Sequence, residues 1–348
     1  MYKKMFKAAL VAATLALAAC GKGDAEGAAG ADNAPVRISV GSYNLNNLPF
    51  FIADANGYFD QVGLKVQTEN FAQGGSKVLQ ALVANSTDVA VGFYDHTIQM
   101  QAKHKEVVGF VLLSRNSGLV MAGREEGSFD PARPETIKGQ KVGITAPGSS
   151  SDFFVRHFLA QHDIPVDSIA LIGVGSGAAA VAALEQGKID LLVNYDPAAT
   201  LITERKVGRI IIDARSDEGA RQVYGGLYPT SVMYANQSFL DKRPEAATKI
   251  ARAQQMALRF IADNTAEDIV AALPDAYISG DRKTYARAVE NARAIFTTDG
   301  RFVPADLETP LAVLREFNKD VAGTEIDLSK TYTNAFVERA SASAPAQP

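Results

Sequence analysis

From Val36 onward, short apolar runs alternate with stretches of helical period. The order reads strand Val36–Gly41, helix Leu48–Asn56, strand Leu64–Glu69, helix Ser76–Ala84, strand Asp88–Gly92, helix His96–Lys103, strand Val107–Leu113. Strands separated by helices of roughly ten residues predict βαβ units and a mostly parallel sheet. The rhythm breaks at Gly123–Lys138, a charged segment with two prolines that reads as a connection. It restarts with strand Lys141–Thr145, helix Ser151–Gln161, strand Ile169–Gly173, helix Ala178–Gln186, strand Asp190–Asn194, helix Ala198–Lys206 and strand Arg209–Asp213. Ala214–Gly226 reads as a second polar connection, Tyr228–Ala235 as a strand, and everything later as helix. Pro244 marks one helix start, with Ala247, Ile250, Ala251, Leu258 and Ile261 at helical spacing behind it.

One α/β set interrupted by another predicts a discontinuous first lobe, 36–122 plus 226–339, and an inserted second lobe, 123–225. Two chain crossings between them make a hinge. Ligands of open α/β sheets sit outside the carboxyl ends of the strands, and clefts between domains are preferred sites. The candidate site is therefore the set of strand-end loops.

The ends of the chain read differently. Lys3, Lys4 and Lys7 precede an apolar run, Ala8–Ala19, too short for a bilayer span of about 20 residues. Residues 1–19 read as a signal peptide. The run ends Leu17-Ala18-Ala19-Cys20, which resembles the lipobox of bacterial lipoproteins; the resemblance implies cleavage before Cys20 and a lipid on its sulfur. The alternative is an ordinary signal peptide that happens to contain a cysteine. Residues 20–34, rich in glycine and alanine, read as a flexible tether, and 340–348 as a disordered tail.

Composition narrows the function. Of 348 residues 47% are hydrophobic and 21% charged, which fits a globular protein rather than a disordered one. The net charge of −4 argues against nucleic acid as a partner. A single cysteine excludes an intramolecular disulfide and a cysteine-built zinc site.

The strand-end loops carry the candidate chemistry. The first holds Tyr43 and Asn44. The second holds Gly74, Gly75 and Ser76, where glycines allow close backbone approach. The third holds Phe93, Tyr94, Asp95 and His96. In the second lobe Gly148-Ser149-Ser150-Ser151 opens a helix, and free N–H groups with hydroxyls there suit an anionic group. The same residues read equally as plain capping, with Ser149 and Asp152 forming a capping box, and Asp152 would repel an anion. Asn194 and Tyr195 follow a later strand, and Tyr228 heads the last one. Tyr43, Phe93, Tyr94 and Tyr195 could line a cleft or fill a core. Asp196-Pro197 reads as a helix start.

Catalytic patterns are missing. The four histidines show no metal spacing, and His157 and His162 read as solvated residues of one amphipathic helix. Gly173–Gly177 lacks dinucleotide-loop spacing, and neither a phosphate-binding P-loop nor a nucleophile elbow occurs. Lys77 and His96 are the candidates for a nucleophile in the cleft.

Several stretches together resemble the nitrate/sulfonate/taurine branch of ABC-transporter solute-binding proteins, which is related to the thiamine-pyrimidine precursor binders. They are LPFFIADANGYF at Leu48–Phe59, Gly74-Gly75, DVAVG at Asp88–Gly92, KGQKV at Lys138–Val142, Gly148–Ser151, Ile189-Asp190 and Tyr234-Ala235-Asn236. The resemblance implies a type II periplasmic binding fold. It implies an exported, lipid-anchored monomer without cofactor or enzymatic activity, which captures a small anion and delivers it to a permease with its ATPase. Ser149, Ser150 and Ser151 would hold the anionic head. Asn44, Gly74, Gly75, Ser76, His96 and Asn194 would bond or approach polar atoms, and Tyr43, Phe93, Tyr94, Tyr195 and Tyr228 would pack on the body. Phe93-Tyr94-Asp95-His96 stands where relatives often have small residues, which favours a bulkier organic anion, aromatic ones included. Two other readings stay open: an exported sensor that docks a signalling partner, and an enzyme on the same fold related to pyrimidine-precursor synthases.

Overall fold

A computed structural model describes residues 34–41, 43–71, 75–278 and 280–342. The proposed signal peptide, Cys20, most of the tether, Gly74 and the last six residues lie outside the described residues. The chain opens with β1 (Val36–Val40), α1 (Leu48–Ala55), α2 (Tyr58–Gln61), β2 (Val66–Asn70), α3 (Gly75–Val83), β3 (Val89–Phe93), α4 (Asp95–Ala102) and β4 (Val107–Leu112). It continues through β5 (Val120–Arg124), β6 (Lys141–Ile144), α5 (Ser150–Gln161), β7 (Ala170–Gly173), α6 (Gly177–Glu185), β8 (Leu191–Asn194), α7 (Ala198–Glu204), β9 (Gly208–Asp213) and α8 (Asp217–Tyr224). β10 (Ser231–Asn236) then precedes α9 (Gln237–Lys242), α10 (Pro244–Asp263), α11 (Ala266–Ala272), α12 (Arg282–Ala292), α13 (Glu308–Phe317), α14 (Lys319–Ala322) and α15 (Ala335–Ala342).

The strands form two five-stranded sheets, ordered β2-β1-β3-β10-β4 and β7-β6-β8-β5-β9. Each sheet has one antiparallel member, and in each it is the strand that follows a crossing between lobes. β5 enters the second sheet between β8 and β9, and β10 enters the first between β3 and β4. Both inserted strands carry a register shift against their outer neighbour, at Met121/Ala122 and at Met233/Tyr234. Such irregularities bend a strand locally.

The central strands are buried on both faces, so they read as continuous apolar runs. Alternation still sorts them, because successive side chains point to opposite faces. Val89, Val91, Phe110 and Met233 join one core with Phe50, Phe51, Ile250 and Leu258. Ala90, Leu112, Val232 and Tyr234 join another with Leu82, Leu311 and Leu314. The second sheet divides the same way, Met121 and Val193 to one side, Ala122 and Leu192 to the other.

The two segments read as connections both contain regular structure. The first begins inside β5, whose sequence VMAGR is short and shows no alternation. The second contains α8, fully capped: Ser216 accepts from the Gly219 N–H, and Gly225 closes the helix at φ +79. Those are ordinary start and stop signals, hidden by the polar character of the segment. The helix α15 also runs to Ala342, three residues into the stretch read as tail.

Candidate functional site

The carboxyl ends of β1 and β3 in one lobe face those of β6 and β8 in the other. The cleft between them is lined by Asn44, Asn47, Gly75, Gly92, Phe93 and His96 on one side, and by Thr145, Ser149, Ser150, Gly175, Ser176 and Tyr195 on the other. Its volume is about 20 Å³, room for one water. The lobes are therefore closed. The Leu45 N–H donates to the Asp196 carbonyl across the gap at 3.0 Å. Phe93 and Tyr195 meet edge to face, ring centres 5.5 Å apart. On the flanks α12 reaches α7 through Asn291 to Thr200 and Arg287 to Glu204, while α5 reaches α13 through His157 and Glu316.

Two helix N-termini confront each other in this cleft. At the α5 tip, Thr145, Ser149 and Ser151 form a triangle of hydroxyls with sides of 2.8–2.9 Å. Ser149 also reaches the Ala146 carbonyl, and the Thr145 N–H donates to Ser151 Oγ. The expected capping box is displaced by one residue: Asp152 accepts from the Gly148 N–H at 2.8 Å, not from Ser149, and pairs with Arg156 through its other oxygen. The Ser150 hydroxyl goes elsewhere. It donates to Asp95 Oδ2 in the other lobe at 2.6 Å.

Asp95 opens α4 and is fully buried. Burial pushes its carboxyl above the usual range, against the lowering effects of His96 and of the Ser150 and Tyr228 hydroxyls. The Tyr228 hydroxyl lies 3.4 Å from the same Oδ2. His96 is also buried, and burial pushes its imidazole down, while Asp95 and the Gly148 backbone push it up. Its Nδ1 lies 3.3 Å from the Tyr234 hydroxyl, whose proton burial holds firmly. Space is tight on both sides of this arrangement. A Cβ at Gly75 would stand 3.1 Å from His96 Cε1, and one at Gly92 would stand 2.7 Å from the Tyr234 hydroxyl. Asp95 Oδ1 and His96 Nε2, 3.9 Å apart, are both buried without a hydrogen-bond partner among the described residues.

A model of the NMT1-like family matches residues 30–274. The chain belongs to the NMT1-like family. A solved structure from Bordetella bronchiseptica RB50 is 34% identical and superposes at a TM-score of 0.84, covering 89% of this chain and 98% of that one. The periplasmic aliphatic sulphonate binding protein SsuA of Escherichia coli, 17% identical, shares the fold at a TM-score of 0.66 over 87% of this chain and 98% of its own. Among curated relatives, YtlA of Bacillus subtilis is 24% identical over 260 residues, 73% of this chain and 74% of that one; its name places it with binding proteins and gives no ligand. A protein of Aspergillus parasiticus named 4-amino-5-hydroxymethyl-2-methylpyrimidine phosphate synthase is 23% identical over 301 residues, 83% of each chain. The expected periplasmic binding fold, two α/β lobes joined by two crossings, is the fold of this NMT1-like chain.

Of the residues singled out from sequence, the NMT1-like cleft gathers Asn44, Gly75, Phe93, His96, Ser149, Ser150 and Tyr195. Ser151 stands behind Ser149 in the hydroxyl triangle. Tyr228 stands behind Asp95, and Asn194 ties the Gly175 carbonyl to the Tyr195 N–H. Ser76 is on α3, outside the lining. Tyr43, 36% exposed, packs on Phe51 and Tyr277. Tyr94 turns into the core, its hydroxyl 2.5 Å from Thr331 Oγ1.

Sequence reasoning assigned no role to Asp95, Asn47, Thr145 or Ser176. Thr145 is the last residue of an expected strand, and strand ends were the right place to look. His157 is not solvated: it is buried between the Glu316 carboxylate at 2.5 Å and the Val223 carbonyl at 2.8 Å. Both partners come from segments far along the chain. Among the described residues there is no cluster fit to hold a metal ion and no helix long and apolar enough to cross a membrane.

Proposed function

We propose that this chain is the solute-binding component of an ABC-type importer. It is exported, held at the membrane by lipid on Cys20, works as a monomer, and hands a small organic solute to a permease and its ATPase. The observation that carries this reading is the closed cleft, whose buried polar groups come from both lobes at the ends of β1, β3, β6 and β8. Contacts such as Ser150 to Asp95 exist only when the lobes meet, so a solute that stabilises the closed form shifts the population toward it. The hinge is the pair of crossings between β4 and β5 and between α8 and β10.

The anionic head group expected at Ser149–Ser151 is the part of the sequence reading that this proposal revises. Those hydroxyls are engaged by Thr145, by one another and by Asp95. An enzymatic reading finds less support, although one relative bears a synthase name. Lys77 is exposed and lies beside Gln80, which leaves His96 as the sole candidate named from sequence.

The test is mass spectrometry of small molecules released from gently purified protein, with small-angle scattering before and after their removal. A retained solute whose loss expands the particle is the expected result. No retained solute and an unchanged scattering profile would count against the proposal.

A further inference from the structure

We propose that Asp95 sets the specificity of this cleft, by admitting an uncharged or cationic solute that donates an N–H and by excluding anions. The inference rests on the solute-binding reading and names the class of solute.

Four observations support it. The first is the occupancy of the α5 tip. The Ser150 hydroxyl is given to Asp95, the Gly148 N–H to Asp152, and the hydroxyls of Ser149 and Ser151 to Thr145 and each other. Two carboxylates from the chain itself thus serve the positive end of the helix, where an anionic solute would otherwise be held.

The second is the charge of the lining. It contains no lysine and no arginine among the described residues. The nearest guanidinium on α5, that of Arg156, is paired with Asp152. An anion entering here would lie over the Asp95 carboxyl, which stands behind Ser150 and His96 of the lining, with no lysine or arginine in that lining to offset it, and like charges repel most strongly where water is excluded.

The third is what remains unpaired. Asp95 Oδ1 and His96 Nε2 are buried without a hydrogen bond among the described residues and lie 3.9 Å apart, with the Gly148 backbone beside the imidazole. Buried polar atoms without partners are costly and call for a complement. Where the Tyr234 hydroxyl donates to Nδ1, Nε2 carries the ring proton and, beside the Asp95 acceptor, matches an amide edge with an N–H next to a lone pair. Where Nδ1–H donates to the Tyr234 hydroxyl instead, Nε2 is an acceptor, and the couple matches the two N–H groups of an amidine edge.

The fourth is the wall. Phe93 and Tyr195, buried and in edge-to-face contact, line the same cleft as His96 and offer aromatic surface to a planar body.

The experiment uses four probes with one shared ring and different heads: benzamide, benzamidine, benzoate and benzenesulfonate. Binding of each to the full chain is measured by calorimetry, alongside mass spectrometry of any co-purified solute. The expected result is that benzamide or benzamidine binds at least tenfold more tightly than either anion. Asp95→Asn should shrink that preference at least tenfold, and circular dichroism reports whether the variant folds. Should it not fold, the wild-type ranking and the charge of the released solute decide. Tighter binding of benzoate or benzenesulfonate, or release of an anionic solute, overturns the inference while leaving the solute-binding reading intact. Nothing released and no probe bound overturns both.

Discussion

The tips of α4 and α5 face each other across the cleft, and they are built on opposite plans. The α5 tip is rich in hydroxyls and satisfies itself: three of its oxygens bond one another, and Asp152 takes the Gly148 N–H. The α4 tip has an acid and an imidazole, fully buried, each with one atom left unmatched. Hydroxyl-rich strings catch the eye in a sequence because they resemble anion sites. The unmatched pair is the better guide to a solute, because buried polar atoms are normally paired.

The largest effect should come from the backbone that makes room for the α4 tip. Gly92→Val places a branched side chain against the Tyr234 hydroxyl, where a bare Cβ already stands 2.7 Å away. Overpacking of this kind costs about 1–3 kcal/mol, read as a lowered midpoint in urea unfolding. An unchanged midpoint would show that the α4 tip is softer than its packing suggests.

Next comes the single bond between the tips. Ser150→Ala removes a donor from a fully buried carboxylate. Leaving such a group underbonded costs about 1–3 kcal/mol, and this cost falls on the closed form, because the bond crosses the cleft. Scattering of the variant should shift toward a more open particle. Within the α5 tip, Ser149→Ala loses a hydroxyl from a set that can re-pair, so about 1 kcal/mol is expected, with no opening.

The pH response separates the tips further. Burial holds the His96 imidazole below its ordinary 6.5. The unfolded chain therefore takes up the proton first as pH falls through 6.5, and stability present above that value is lost as pH drops toward the lower folded value. His96→Gln should flatten the acid-side fall in melting temperature. Asp95 has the opposite sense: its carboxyl is raised, so its ionisation erodes stability as pH climbs above the ordinary carboxylate range. Ser149→Ala should leave both arms of the profile in place. The smallest effect is expected on the flank, where Arg287→Ala breaks a half-exposed pair with Glu204; exposed pairs contribute about 0–1 kcal/mol, and solute affinity should not move.

Much of this was legible along the chain. β3, β4 and β8 are apolar runs that each follow a helical stretch, so their places, and with them the strand-end loops, followed directly. β5 was not legible, because five residues with a central Ala-Gly give no period. The importance of Asp95 was equally hidden. Its partners, Ser150 and Tyr228, lie 55 and 133 positions away, and local pattern cannot report a bond that depends on two lobes meeting. The same holds for His157, which looks like a surface residue until Glu316 arrives from 159 positions on.

The placement of β10 has a consequence for the order of assembly. Until residues 231–236 are made, the first sheet is two separate pieces, β2-β1-β3 and β4, with a gap where β10 belongs. The second sheet needs nothing outside residues 120–213. A chain emerging amino end first thus completes its middle before its beginning, and the earliest strands wait for a late one to join them.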